Sequence, residues 1–322
     1  MRLLVYLTLL LLCSPISMSA QITTHKVVEA AASTENMPYD STLNFLGENV
    51  HQYIGQLLYV NGKPESLREF GYRGFLTNYT SRTYDLKSNV YECCDSYNSQ
   101  YNRLVDRYFL VLDVIPHPRA NEDDYLYGDK YYLKLEANDN KDIVYFEYDT
   151  GYEVTFPFVV AGYFVKKKRE LVGDSYVLTN KNSYDLGEPI LDINTGKHII
   201  IQADMVWKAI DVSIEEKYFS LALILENETG GTIGFNILEL DDLAYIIEKS
   251  TAYHLQTKFG EENWDLILEG QVRLGMTDEM CRISWGEPED INRTIGSMGV
   301  QEQWVYSSQY LYFENGKLTT IQ

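Results

Sequence analysis

The most constraining feature of this chain is a set of three short apolar strings that occurs twice in the same order. The three pairs are Ile54–Val60 with Val172–Leu178, Phe109–Val114 with Trp207–Val212, and Lys130–Leu135 with Lys217–Leu223. Strings that keep their order over this length indicate an internal duplication. The alternative is chance, because β-proteins reuse similar short strings. A duplicated set of strands predicts two tandem modules built on one plan.

The spacing between the strings differs between the two occurrences. Gly55 and Asp113 are 58 positions apart (113 − 55), whereas Gly173 and Asp211 are 38 apart (211 − 173). Surface loops accept such insertions because closure entropy rises slowly with loop length. Modules of this size favour small β-barrels or sandwiches of SH3-like or OB-like scale. The apolar stretch 154–165 is predicted to be the strand that joins them.

Short apolar and aromatic runs cut by Gly, Asn and Asp are typical of β-structure with tight turns. The 27 tyrosines fit this prediction, since tyrosine suits a half-buried pleated surface. A stacking platform for sugars is the other interpretation of so many tyrosines.

From Leu240 onward the pattern predicts two helices. The first begins at Asp241 and Asp242 and ends at Gly260, and the second begins at Thr277 and ends at Gly286. Three strands follow, at residues 303–306, 310–313 and 318–321, and Asn315-Gly316 marks a hairpin between the last two. The fold class predicted for the whole chain is therefore α+β and mostly β.

The C-terminal quarter, about residues 240–322, resembles the SmpA/OmlA family. The resemblance rests on the ordered motifs Val272–Thr277, Met280, Trp285–Pro288, Glu302–Tyr306 and Tyr312–Lys317. It implies two helices packed on a three-stranded antiparallel sheet, and a binding or scaffolding role of the kind known for the small lipoprotein of outer-membrane β-barrel assembly. In their longer form, these motifs are similar to those of exported proteins of Bacteroides-type bacteria. Secreted inhibitor-like domains use the same α/β module, so the fold alone leaves the role open.

Four aromatic residues of the last strands form the predicted interaction surface of this module: Trp304, Tyr306, Tyr310 and Tyr312. The chain departs from the family in carrying two large additional modules and in lacking a convincing lipoprotein cysteine, because the large Leu12 precedes Cys13. Lipidation at Cys13 stays open as an alternative.

The N-terminus predicts export. Residues 1–20 have a positive start, an apolar run too short to span a bilayer, and small residues before Gln21, as a signal peptide requires. The remaining boundaries are a flexible leader (21–42), a first β-rich module (43–165), a second (166–239) and the SmpA/OmlA-like module (240–322). The mature chain is expected to have no transmembrane segment and to act in the periplasm, at the outer membrane or as a secreted protein.

The net charge of −20 argues against nucleic acid as a partner, because phosphate backbones are bound by Lys and Arg. The one basic run, residues 166–169, is predicted to be a solvated strand end. The sequence offers no zinc-protease His pair and no Gly-x-Ser-x-Gly elbow. Neither a catalytic residue nor a cofactor or metal is therefore predicted. Cys93 and Cys94 are expected to be either two thiols or a vicinal disulfide.

These observations favour a non-catalytic extracytoplasmic protein whose modules bind an envelope protein or a glycan. The first alternative is a carboxylate-dependent hydrolase acting on envelope or dietary glycans, which needs a cleft with two close carboxylates. The second is a secreted inhibitor that presents the C-terminal sheet to a target enzyme. Burial of Trp304, Tyr306 and Phe313 would argue against the inhibitor.

Overall fold

The computed structural model describes residues 24–25, 39, 41–80, 87–95, 97–120, 127–179, 190–202, 205–215, 220–297 and 299–322. The predicted signal peptide, Cys13 and most of the predicted leader lie outside these residues. The described chain is α+β and mostly β, which confirms the predicted class. Its sheets are antiparallel throughout. Among the described helices, none is long and apolar enough to cross a membrane.

The first large sheet has six strands in the order β3-β8-β7-β6-β2-β9. Its strands are β2 (Leu57–Val60), β3 (Phe75–Leu76), β6 (Tyr108–Pro116), β7 (Lys130–Ala137), β8 (Ile143–Asp149) and β9 (Phe158–Val160). The segment between β2 and β6 also holds α1 (Glu65–Arg68), α2 (Tyr101–Leu104) and a small hairpin of β4 (Cys93–Asp95) and β5 (Asn98–Ser99).

The second large sheet has the order β13-β12-β11-β10-β14, with β1 added to β11. Its strands are β1 (Thr24–His25), β10 (Ser175–Leu178), β11 (Val206–Glu215), β12 (Ser220–Asn227), β13 (Thr232–Asn236) and β14 (Ile246–Glu248). No ladder among the described residues joins the two ends of either sheet, so both sheets are open and neither forms the closed barrel that was one of the predicted alternatives.

The two sheets share one strand order and one set of irregularities. We call β2 and β6–β9 the first copy, and β10–β14 the second copy. A β-bulge interrupts β6 between Val111 and Asp113 and β11 between Ala209 and Asp211. A glycine with positive φ stands before the first strand of each copy: Gly55 (+81°) donates its N–H to Val111 O at 2.8 Å, and Gly173 (+106°) donates to Ala209 O at 2.9 Å.

Two predictions need correction: one match between the copies and the strand expected to join them. Register pairs Val114 with Leu133 in the first copy and Val212 with Leu223 in the second, so Lys130 corresponds to Ser220 and the predicted match of Lys130 with Lys217 is wrong by three positions. The predicted joining strand 154–165 is instead a 3-10 turn, the short β9 and the start of helix α3 (Ala161–Leu171). A long strand does not form because the chain turns from the sheet into the helix directly after Val160.

Both copies share a single hydrophobic core, although the sequence predicted two tandem modules. Phe109, Leu133, Trp207 and Leu223 all belong to it, and α3 contributes Phe164 between the two sheets. Helix α3 runs across the predicted boundary at residue 165. The Nζ atom of its Lys168 lies 3.1 Å from Oδ1 of Asp211 in β11. The basic run is thus helical, and the predicted strand end is wrong.

The C-terminal module packs around a second core that is centred on Trp304 and Phe313 and also includes Val177 of β10 and Ile247 of β14. Its helices are α4 (Lys249–Phe259), α5 (Glu261–Leu268) and α6 (Asp278–Trp285), and its sheet has the order β15-β16-β17-β18. The strands are β15 (Asp290–Gly296), β16 (Gly299–Val305), β17 (Tyr310–Glu314) and β18 (Lys317–Ile321). Three helices and four strands replace the two and three that were predicted.

The differences have local causes. Residues 246–248 form β14 in the second sheet, so the first helix begins at Lys249 and not at Asp241, and the second copy extends past the predicted boundary at 239. Gly260, with φ of +80°, separates α4 from α5 where a stop was predicted. The Thr277 hydroxyl accepts the Met280 N–H at 3.2 Å, as its predicted role as a helix cap requires.

Candidate interaction surface

The C-terminal sheet has one face covered by helices and one face open to solvent. Trp304, Leu311, Phe313 and Leu318 are buried on the covered face, where they pack in the core with Met280 of α6. Because side chains alternate along a strand, the residues between them point to the opposite face. The central row of the open face carries uncharged side chains from all four strands: Asn292, Gln303, Tyr312 and Thr320. The flanking rows add Thr294, Gln301 and Tyr310 together with the charged residues Asp290, Glu314 and Lys317.

Of the four residues predicted to form an interaction surface, Trp304 is fully buried and cannot contact a partner. Its ring centroid lies 4.5 Å from that of Phe313, and the Arg282 guanidinium lies over it at 4.4 Å. The indole N–H donates to Glu302 Oε2 at 3.2 Å. The Trp304 side chain therefore stabilises the fold, because a residue with this parity in β16 must point towards the helices.

Tyr306 lies beyond the end of β16 and is half-buried. Its hydroxyl donates to the Gly286 carbonyl oxygen at 3.1 Å, and its ring meets the edge of Trp285 with centroids 5.4 Å apart. Burial raises the pKa of the Tyr306 hydroxyl. Tyr306 thus fixes the end of α6 to the sheet. The burial of Trp304 and Phe313 and the hydrogen bond of Tyr306 argue against these three residues as contacts of an inhibitor.

Tyr310 and Tyr312 do lie on the open face, and Tyr312 is the centre of a hydrogen-bond chain across the sheet. Asn292 Nδ2 donates to Gln303 Oε1 at 3.3 Å, and Gln303 Nε2 donates to the Tyr312 hydroxyl at 3.0 Å. That hydroxyl donates to Gln322 Oε1 at 3.0 Å. The chain orients four side chains before any partner arrives, which reduces the entropy lost on binding. Tyr310, 40% exposed, stands beside it.

β15 forms one edge of this sheet and is exposed at all seven of its residues. Ile291 and Ile295 point towards the helix side but extend past the helices, and Ile295 is 74% exposed. Arg293 lies between them, with Nε at 3.2 Å from Glu302 Oε1. An exposed edge strand with apolar side chains offers hydrogen-bonding groups and apolar contact area to a partner.

Sequence reasoning missed β15 and the amides of the open face. No strand of this sheet was predicted before residue 303, although Ile291 and Ile295 alternate with polar residues at even spacing. That alternation was the available signal. The amides Asn292, Gln303 and Gln322 carried no sequence signal, because their alignment depends on the register of four strands.

The tyrosines of the first sheet form a second aromatic group, on the face away from the core. His117 stacks between Tyr127 and Tyr132, with ring centroids 4.5 and 5.4 Å away, and Tyr79 lies 4.8 Å from Tyr145. The Arg119 guanidinium covers Tyr127 at 4.4 Å. These ring faces are already in contact with one another, and so offer little free stacking surface for a sugar.

Each described carboxyl group with a shifted pKa has a local cause for the shift. The Arg107 hydrogen bond to Asp139, at 2.7 Å, lowers the pKa of that carboxyl. Backbone hydrogen bonds, first from Thr232, lower the pKa of the buried Asp192. Glu239 has a raised pKa, first from burial and then from Asp242, and both residues lie on an exposed turn. Among the described residues, no group of His, Cys, Asp and Glu could hold a metal ion.

The three described cysteines are paired or buried. Cys93 and Cys94 are joined by a disulfide bond in the β4–β5 hairpin, which answers the question left open by the sequence. Cys281 lies inside α6, and burial raises the pKa of its thiol to about 12. At neutral pH this thiol is protonated and shielded, so it is a poor nucleophile.

Comparison of the chain with protein-family models, with curated proteins and with solved structures found no match.

Proposed function

We propose that this chain is a non-catalytic binding or scaffolding protein of the bacterial envelope, exported by the predicted signal peptide 1–20 and active in the periplasm or at the outer membrane. The C-terminal module is its docking unit, related to the SmpA/OmlA family with one additional strand and one additional helix. The partner is an envelope protein or a glycan, and nucleic acid is not a partner. The single observation that carries this proposal is the pre-oriented open face of the C-terminal sheet.

The chemistry of that face supports a docking role. The protein carries a net charge of −20, yet the central row of the open face is uncharged, and the charged residues Asp290, Glu314 and Lys317 lie in the rows beside it. An uncharged centre lets a partner dock there without desolvating a charge, and tyrosine is enriched at protein interfaces because it adds contact area at low entropic cost. Amides held in line by Tyr312 also suit the hydroxyl groups of a glycan.

The docking face is tested by site-specific photo-crosslinking in bacterial cells that produce the full chain. A photoreactive phenylalanine analogue replaces Tyr310 in one variant and Tyr253 in another. Tyr253 is a matched control, because it is a tyrosine on α4 that is 74% exposed and lies away from the sheet. We expect covalent adducts from position 310 in envelope fractions, and none from position 253.

Two results would contradict the proposal. One is the absence of adducts from position 310 in every fraction, and the other is an equal adduct pattern from both positions. Tyr312→Ala, added to the variant with the analogue at position 310, is a further check. Removal of the central hydroxyl breaks the hydrogen-bond chain and should reduce the adduct yield several-fold while the module stays folded.

A further inference from the structure

The strand β1 shows that residues near the N-terminus belong to the second copy. Thr24 pairs with Glu215 and His25 with Ile214, on the side of β11 opposite to β12. On that side β10 covers only residues 206–208 of β11, with Ala209 bonded to the turn before β10. The remainder of β11 would be an exposed edge. This observation goes beyond the proposed docking role of the C-terminal module.

The first copy has the same edge in β6 but closes it differently. The His117 N–H donates to Lys130 O of β7 at 3.0 Å, so the preceding residue, Pro116, directs its backbone to the opposite side. Proline has no N–H to offer there. A proline at this place in an edge strand prevents another strand from pairing.

At the preceding residue that faces the edge, two residues closer to the bulge, both copies block strand pairing in the same way. The Asp113 carboxylate accepts the N–H of Val114 at 2.9 Å, and the Asp211 carboxylate accepts that of Val212 at 2.8 Å. By the same alternation, these N–H groups face the open edge. An aspartate side chain therefore occupies the donor that a foreign strand would use.

The two copies differ at the next residue that faces the edge. Counting from the bulge, Pro116 corresponds to Ile214, which retains its N–H. Ile214 is also the residue that His25 meets in the ladder. The second copy thus lacks the proline, and a strand from the N-terminal segment lies at the one position where the proline is missing.

We propose that the edge of β11 is a strand-binding site whose occupant is the chain's own segment Thr24–His25, and that this segment protects the second copy as Pro116 protects the first. Residues 24 and 25 of the predicted leader then form a structural strand that ties this part of the chain to a sheet almost 190 residues further along (214 − 25 = 189). It also shields Ile214 from pairing with strands of other molecules.

Hydrogen exchange of single amides tests this assignment in the chain that starts at Gln21. In an antiparallel ladder His25 directs its N–H and C=O towards Ile214, whereas Thr24 directs its own away from β11. We expect His25→Pro to speed exchange of the Ile214 amide about tenfold or more, since its cover is lost. Thr24→Pro is the matched control and should leave that rate within about twofold. The amides of Ser213 and Glu215 face β12 and should be unchanged in both variants.

Three results would overturn the proposal. The first is an Ile214 amide that exchanges equally fast with and without His25→Pro. The second is an equal acceleration by Thr24→Pro. The third is protection of Ile214 that rises with protein concentration, because a strand from a second copy would then be the occupant. A variant that lacks residues 21–30 checks the result without a proline, and we expect it to match His25→Pro.

Discussion

The first and second copies form the same five-stranded sheet, and they differ in how the long connection after the first strand is attached to it. In the first copy the segment between β2 and β6 is long and adds β3 to the sheet edge, beside β8. In the second copy the corresponding segment is shorter, and Asp192 fastens it to β13. The shared bulges and glycines show which features the ladder itself requires. The unshared features show that loops and edges can be secured in more than one way.

The largest effect is expected at the core position that the two copies share. Phe109 and Trp207 occupy equivalent places before the bulge and are fully buried in the common core. Phe109→Ala and Trp207→Ala should each lower the free energy of unfolding by about 3–5 kcal/mol. Urea unfolding followed by circular dichroism measures the change. Because one core serves both copies, we expect both sheets to unfold in one transition.

Trp207→Phe is the matched exchange, since it places the first copy's residue in the second. The Trp207 indole N–H is buried without a hydrogen-bond partner among the described residues, and the exchange removes it. The loss should therefore be only about 1–2 kcal/mol. Separate unfolding of the two sheets, with only one affected by each alanine, would show that the copies are energetically independent.

The next largest effect is expected at Asp192, which exists only in the second copy. Its Oδ1 accepts the N–H of Thr195 at 2.6 Å and of Asn194 at 3.0 Å, and its Oδ2 accepts the N–H of Thr232 at 2.8 Å. Asp192→Ala should lower the free energy of unfolding by about 2–3 kcal/mol at pH 7, because the buried N–H of Thr232 and two part-buried N–H groups lose their acceptor. Asp241→Ala, at an exposed position, is the control and should change little.

The effect of Asp192 depends on pH. Its pKa in the folded state lies below the unfolded value of about 4. The carboxylate therefore stabilises the fold above that unfolded value, and the stabilisation is lost as the pH falls through the folded pKa. We expect the difference between the wild type and Asp192→Ala to shrink from pH 7 to pH 3. A difference that stayed constant would contradict the role of the charge.

A smaller effect, of the same size in both copies, is expected at the equivalent glycines Gly55 and Gly173. Gly55→Ala and Gly173→Ala should each lower the free energy of unfolding by about 1–2 kcal/mol, since an L-residue adopts a positive φ only with strain. A Cβ at Gly173 would meet no atom within 4 Å, so the cost there is one of backbone conformation. Gly128→Ala, also in open space, is the control and should not destabilise. Thermal unfolding would show the comparison.

The smallest effect is expected at the aspartates after the bulges. Asp113→Ala and Asp211→Ala should each cost about 1 kcal/mol, because Val114 and Val212 lose an acceptor for their N–H. Asp211 also loses its ion pair with Lys168, which adds about 0.5 kcal/mol. Lys168→Ala should abolish this additional loss at Asp211. Equal losses for the two aspartates in the wild-type background would show that the ion pair contributes nothing.

Local signals in the sequence predicted the features that depend on a few neighbouring residues. The glycines before β2 and β10, the Thr277 cap, the stop at Gly286 and the Asn315-Gly316 hairpin all stand where expected. Each works through backbone conformation or a hydrogen bond within a few residues. The mostly β class and the two-fold recurrence of strands followed from the same kind of signal.

Features that depend on distant residues could not be predicted in this way. Whether Trp304 points to the helices or to solvent depends on which face of β16 the helices cover. The predicted interaction surface therefore included a core residue. The two copies were expected to have separate cores, because nothing local indicates that α3 packs Phe164 between the sheets. The pairing of Thr24–His25 with β11 had no sequence signal, because two residues of strand carry no periodicity.

The sequence by itself determined the repeated plan of this protein: where strands bend, where helices end and which residues recur, since those properties are set by φ preferences and hydrogen bonds over short distances. Only the tertiary structure decided that two sheets share one core, that four uncharged side chains line up across the open face of the C-terminal sheet, and that His25 lies beside Ile214. These outcomes depend on which apolar faces meet when the whole chain excludes water, and no short segment contains that information.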